Sequence, residues 1–194
     1  MIKKILWIVL VALLFSSCAI AVPIPIVERP GTWAQPMTVA GLPNLFRVSA
    51  PPARWTIYRS ALPLAEGFSK GLVELGITTD INLYAGHPDK ALLPRGIEET
   101  YIPAHTWHPE FEDAVAVLKA IKTAPGPVLI HCQHGSDRTG WSVALFRIVF
   151  ENWTKEQAVD EMLHGGFGFH WLWGNLAGWI RGADIPKLKK AVGL

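Results

Sequence analysis

The stretch PVLIHCQHGSDRTGW, Pro127 to Trp141, constrains this chain more than any other part of it. Val128, Leu129 and Ile130 form a short apolar run rich in β-branched residues, which predicts an interior strand. From Trp141 to Phe150 the chain reads WSVALFRIVF, apolar on nearly every side, as a central buried helix is. His131 to Gly140 must therefore be a tight loop that ends at a helix N-terminus. Such a loop gathers backbone N–H groups into one concavity, and the helix dipole adds positive potential there. The expected feature is an anion cradle over Cys132.

The rest of the pattern surrounds that unit with alternating elements. NLFRVS and WTIYRS read as strands, a helix is expected around Glu66 to Leu75, and Gly76 stops it before the strand Ile77 to Tyr84. A short strand from Glu98 to Ile102 follows, then an amphipathic helix from Glu112 to Lys122. Thr154 and Gln157 make a capping-box pattern at the start of a helix running to Leu163. Two more helices are expected near Trp171 to Ile180 and Ile185 to Val192. Strands alternating with helices, then a run of helices, predict a compact single α/β domain. Its sheet should be small and mixed, about four to five strands, flanked by helices.

The N-terminus has a different character. MIKKILWIVLVALLFSSCAIA opens with Lys3 and Lys4, continues through an apolar core from Ile5 to Phe15, and ends in small residues. That is the build of a signal peptide over residues 1–21, too short for a comfortable membrane span. Export, to a bacterial periplasm, is the expectation. FSSC suits a lipoprotein signal with Cys18 as the acylated first residue, although Phe15 is an unusual occupant of that pattern. AIA suits ordinary cleavage after Ala21, and both outcomes stay open. Residues 22–43 hold Pro23, Pro25, Pro30, Pro36 and Pro43. They read either as an extended tether or as a strap on the domain, with the folded domain spanning 44–194.

Without Lys3 and Lys4, 16 basic side chains balance 16 acidic ones. A neutral mature chain argues against bulk nucleic-acid binding and against a polybasic membrane patch, so recognition of negative charge must be local. The membrane partner expected is the lipid on Cys18, if that residue is acylated, and the domain is expected to be a monomer. Of the two cysteines, Cys132 is then alone in an exported protein. An unpaired thiol in a polar loop at a helix start is better explained by chemistry than by packing. His131, Cys132 and His134 lack a second Cys/His pair at zinc-like spacing, so no metal and no cofactor is assigned.

Cys132 and Arg138 are separated by five residues, and Thr139 and Gly140 follow. A thiolate is a strong nucleophile, but a phosphate dianion repels it unless the site neutralises both. Arg138 can grip two phosphoryl oxygens at once, as a lysine cannot. Gln133, His134, Gly135 and Ser136 would line the phosphate through their N–H groups, with Thr139 placed to hydrogen-bond the sulfur. This arrangement suits a cysteinyl-phosphate intermediate that water then hydrolyses.

VLIHCQHGSDRTG resembles the signature loop of Cys-dependent phosphatases, and the chain around it is similar to exported bacterial dual-specificity tyrosine phosphatases. The likeness extends through YRSALP (Tyr58 to Pro63), GITTDINL (Gly76 to Leu83), GGFGFH (Gly165 to His170) and WIRGADI (Trp179 to Ile185). The resemblance implies a dual-specificity-phosphatase fold and hydrolysis of phosphotyrosine, with phosphoserine and phosphothreonine as further substrates. It also implies that His131 orders the backbone of the cysteine.

One position departs from the family. The aspartate that usually protonates the leaving oxygen is replaced, in IPAHTWHPEFED, by Trp107. An indole N–H is far too weak an acid for that task. Glu110, Glu112, Asp113, His105 and Asp137 are the candidate substitutes. Asp137, next to Arg138, reads as a catalytic acid or as a group that caps the helix and orients the arginine. Its position also motivates a second reading, an inositol phosphate or phosphoinositide phosphatase. A non-catalytic phosphate-binding protein is a third, disfavoured by the intact Cys132.

Overall fold

The computed structural model describes residues 29–51 and 53–194. The expected signal segment, 1–21, and Cys18 lie outside the described residues. In chain order the elements are β1 (Gln35–Pro36), β2 (Phe46–Ser49), β3 (Ile57–Ser60), α1 (Phe68–Glu74), β4 (Thr79–Asn82) and β5 (Glu98–Tyr101). They continue with α2 (Phe111–Thr123), β6 (Val128–His131), α3 (Asp137–Phe150), α4 (Lys155–His164), a 3-10 turn (Trp171–Trp173), α5 (Gly174–Gly182) and α6 (Ile185–Val192).

The strands form one mixed sheet in the order β1-β2-β3-β6-β4-β5. β6 lies parallel between β3 and β4, while β1 and β2 join as antiparallel neighbours. The sheet thus has six strands, one beyond the upper end of the expectation. The addition is two-residue β1, too short to carry a periodic signal, with Pro36 tolerated because the strand is at the edge.

Strand geometry sends alternate side chains to opposite faces. Val128 and Ile130 of β6, with Ile57 and Ile81, face α2 and α3 through Val117, Ile121, Val143 and Phe146. Leu129 and Tyr58 face the other way, onto Phe68 and Leu72 of α1. α3 is buried nearly throughout, because its remaining sides meet α4, α5 and α6 through Trp141, Ala144, Leu145 and Ile148. That explains why its sequence is apolar all round. The predicted capping box at the start of α4 is present, Thr154 Oγ1 accepting from the Gln157 N–H at 3.1 Å and Gln157 Oε1 from the Thr154 N–H at 2.9 Å.

Domain packing begins before residue 44. Val39 and Leu42 join the apolar cluster over α1. Ala34 is fully buried, and its N–H donates to Glu161 Oε1 at 2.6 Å. Glu161 is in turn held by Arg147, Nε to Oε2 at 2.9 Å and Nη2 to Oε1 at 2.8 Å. From Arg29 to Pro43 the chain is therefore a strap and not a tether, and the boundary expected at 44 is corrected accordingly. The tie is a buried ion pair between distant residues, which local composition does not reveal.

Candidate active site

The carboxyl ends of β3, β6 and β4 lie side by side, Ser60 opposite His131 and His131 opposite Asn82. Ligands of open α/β sheets bind at such ends. Cys132 follows β6 directly and is buried, 1% exposed. The loop from Gln133 to Ser136 then turns into α3.

What shapes the loop is the fate of its carbonyls. Gln133 O accepts from the Leu62 N–H at 3.1 Å and His134 O from Asn44 Nδ2 at 2.9 Å. Gly135 O and Ser136 O both accept from Arg59 Nη2, at 2.7 and 3.2 Å. Four consecutive carbonyls are thus tied to the surrounding fold. A planar trans peptide points its N–H opposite its C=O, so the same ties turn the loop amides inward, as an anion cradle requires. Gly135 has φ +71°, and a Cβ there would lie 2.5 Å from the carbonyl carbon of Ser60. Only glycine makes this turn without displacing β3. At Gly140 a Cβ would meet Met162 Cγ at 2.9 Å, so this glycine lets α3 and α4 approach.

Arg59 is wholly buried with its guanidinium 3.7 Å from the centre of the Phe167 ring. Burial lowers its pKa to about 10, against the pull of Glu161 and Cys132, so it stays cationic at neutral pH beside the loop. His131 is buried beneath the cysteine, Nε2 3.2 Å from Asp80 Oδ1 and 3.0 Å from Asp89 Oδ2. Burial alone would push its pKa down; the two carboxylates outweigh that and raise it to about 9. Asn82 Nδ2 reaches both Asp89 Oδ2, at 3.2 Å, and Glu99 Oε1, at 3.1 Å, extending the polar layer. His131 is thus secured by carboxylates from below.

Gln133, His134, Asp137 and Arg138 line one wall of a cleft of about 620 Å³, opposite Tyr84, His105 and Trp107, with His170 to Trp173 closing it. Gly135, Ser136, Thr139 and Gly140 are buried in the loop and the first turn of α3. Arg138 Nη1 donates to Leu83 O at 3.2 Å, and its guanidinium carbon is 5.3 Å from the centre of the Tyr84 ring. Thr139 Oγ1 is buried without a hydrogen-bond partner among the described residues, so the bond to sulfur expected of it is not formed. Trp107 is 66% exposed and stacks on His105 at 4.8 Å between centroids. Among the acid candidates only His105 and Asp137 line the cleft; Glu110 pairs with His108 at 2.6 Å on the surface.

Both oxygens of Asp137 are engaged by His170, whose backbone N–H donates to Oδ1 at 2.9 Å and whose Nδ1 donates to Oδ2 at 2.8 Å. Sequence reasoning gave no role to Arg59, Asn44, Asp80, Asp89 or His170. YRSALP, GITTDINL and GGFGFH mark three of these segments, but the contacts join residues far apart in the chain. His134, Asp137 and His170 place possible metal-ligand atoms within 4.8 Å of one another, as do Asp80, Asp89 and His131. In each group an imidazole already faces a carboxylate.

Known proteins resemble this chain. Residues 82–152, which contain the loop, match the tyrosine phosphatase family. The dual specificity protein phosphatase TpbA of Pseudomonas aeruginosa is 35% identical over 167 residues, covering 84% of this chain and 72% of TpbA. The crystal structure of TpbA superimposes with a TM-score of 0.72 at 34% identity, covering 85% of this chain and 99% of that one. A TpbA variant in complex with pTyr gives 0.72 at 33% identity, covering 84% and 98%. The catalytic core of the PP-IP phosphatase Siw14 from S. cerevisiae gives 0.64 at 22% identity, covering 79% and 93%, a likeness of fold alone. With a loop built this way and 35% identity to TpbA over 84% of its length, the chain belongs to the dual-specificity phosphatases of the tyrosine phosphatase superfamily.

Proposed function

We propose that this phosphatase hydrolyses phosphotyrosine, and with it phosphoserine and phosphothreonine, through a cysteinyl-phosphate on Cys132. The observation that carries the reading is the outward tying of four loop carbonyls around a buried cysteine. The inward amides of His134 to Asp137, which share their peptide planes with those four carbonyls, and the N-terminus of α3 bind the phosphoryl oxygens, and Arg138 clamps two of them. Sγ of Cys132 attacks phosphorus as the phosphorus–oxygen bond to the leaving group breaks. Water then cleaves the sulfur–phosphorus bond and regenerates the thiolate. The complex of a TpbA variant with pTyr supports a phosphotyrosine substrate.

The walls of the cleft favour an aryl phosphate. Trp107, Trp171 and Trp173 line it with Tyr84, and Arg138 is the one arginine or lysine among its described lining residues. A polyphosphorylated inositol ring calls for more cations than that.

The leader and FSSC support export to the periplasm with a lipid on Cys18, the domain itself acting as a monomer. Fractionation of cells expressing the full chain tests the anchor: Cys18→Ala should move the protein from membrane to soluble fraction. The catalytic reading is tested with purified protein and a phosphotyrosine peptide. Cys132→Ser should abolish turnover while keeping affinity for vanadate. Turnover that survives this change would rule out covalent catalysis through sulfur.

A further inference from the structure

With Trp107 where the family's acid is expected, the leaving oxygen needs another proton source. Glu110, Glu112 and Asp113 do not line the cleft, and His105, which does, is stacked on Trp107 with no carboxylate paired to it among the described residues. Asp137 also lines it, but it is 4% exposed and both of its oxygens are taken by one residue. That residue, His170, has a side chain 48% exposed that lines the cleft with Arg138 and Trp107.

The placement of His170 is fixed from two sides. The turn that carries it is tied to the phosphate loop by Ser136 Oγ, which donates to Phe167 O at 2.7 Å, and by Asn44 Nδ2, which donates to the same carbonyl at 3.0 Å. Asp137 then fixes both the backbone and the ring of His170. With Nδ1 bonded to the carboxylate, Nε2 is the nitrogen free to meet substrate. A buried carboxylate, an oriented imidazole and an open second nitrogen together form an acid–base pair.

We propose that His170, oriented by Asp137, is the proton donor of this enzyme; the proposal rests on the phosphatase reading above. In the first step Cys132 Sγ bonds to phosphorus, the bond from phosphorus to the leaving oxygen breaks, and the proton on Nε2 passes to that oxygen. The neutral imidazole then removes a proton from water as the water oxygen bonds to phosphorus and the sulfur–phosphorus bond breaks. This restores the thiolate and the imidazolium, and phosphate departs. Asp137 acts through His170 and is a positioning residue. Other charged or titratable groups facing the same cleft are His134, whose ring centre is 5.1 Å from that of His170, His105 and Arg138.

The test is His170→Gln, assayed on a phosphotyrosine peptide and on 2,4-dinitrophenyl phosphate, whose leaving group needs no proton. The expected result is a fall in kcat/KM, which reports the first step alone, of about 100-fold on the peptide with no more than about a 3-fold change on the dinitrophenyl ester. Imidazole in the buffer should restore part of the lost rate in His170→Gly. Asp137→Asn should keep kcat/KM on the dinitrophenyl ester and lower it on the peptide, a split that a merely structural role would not produce. An equal loss of kcat/KM on both substrates, or an unchanged peptide kcat/KM, overturns the assignment of His170 and leaves the phosphatase reading standing. A wild-type protein that hydrolyses neither ester, or one whose turnover survives Cys132→Ser, overturns both.

Discussion

The imidazole of His131 and the carboxylate of Asp80 form a wholly buried pair, with Nε2 3.2 Å from Oδ1 and neither side chain reaching solvent. It is a contact between charges and not an aligned hydrogen bond, and Asp89 completes it from the other side. His131 immediately precedes Cys132 at the end of β6, so the strand end that carries the cysteine depends on the ionisation of the pair.

The consequence is a stability that declines with pH. His131 is raised to about 9 from 6.5, so its contribution is complete below pH 6.5 and lost as pH climbs through 9. Burial, opposed by His131, raises the Asp80 carboxyl above its ordinary value, which acts in the same sense. The effect is of order 3 kcal/mol, or a fall in Tm of roughly 6 to 12 °C between pH 6.5 and 9. Calorimetry across that range measures it. Asp80→Asn should flatten the slope; a slope unchanged in that variant would place the linkage elsewhere.

Arg59 shapes the phosphate loop without touching phosphate. Arg59→Lys keeps the charge, but its ammonium ends one bond short of Nη2, the nitrogen that reaches the carbonyls of Gly135 and Ser136 at 2.7 and 3.2 Å. Losing hydrogen bonds of this charged kind should weaken vanadate inhibition about 10- to 100-fold. Circular dichroism should show the fold retained. Equal inhibition of wild type and variant would mean that the loop holds its shape unaided.

The strap should loosen when its buried anchor is cut. Glu161→Ala leaves Arg147 paired with Glu151 alone, Nη1 to Oε2 at 2.6 Å, and frees the Ala34 N–H. With the charge still compensated, the loss of these buried hydrogen bonds costs about 1 to 3 kcal/mol. Hydrogen exchange should show the Ala34 amide losing protection together with the Gln35–Pro36 edge of the sheet, which pairs with β2. Protection that persists would show the strap held by Val39 and Leu42 alone.

The sequence made the strand–loop–helix unit legible because three signals coincide within fifteen residues: an apolar run, a glycine-bearing polar loop and an all-round apolar helix. The helices that follow it were legible from capping and periodicity, Thr154 above all. The partners of the loop were not. Arg59, Asn44 and His170 act on it from other segments, and a buried arginine looks in sequence like any surface arginine. Asp80 sits in a strand pattern that alternates imperfectly because one face turns polar towards His131. The strap stayed one of two open readings for the opposite reason, since proline-rich composition describes a chain's local conformation and not what it packs against.

Trp107 has a task of its own if it is not the acid. It is two-thirds exposed, stacked on His105, with its ring centre 6.5 Å from that of Trp173 across the mouth of the cleft. Large exposed aromatics beside an anion cradle suit a ring that arrives with its phosphate, and such stacking is worth about 0.5–1.5 kcal/mol. Trp107→Ala should therefore raise KM for a phosphotyrosine peptide about 3- to 10-fold and leave kcat unchanged. A phosphoserine peptide, with no ring to stack, should show no change in KM. If both peptides weaken together, Trp107 supports the cleft wall through His105 instead of reading the substrate.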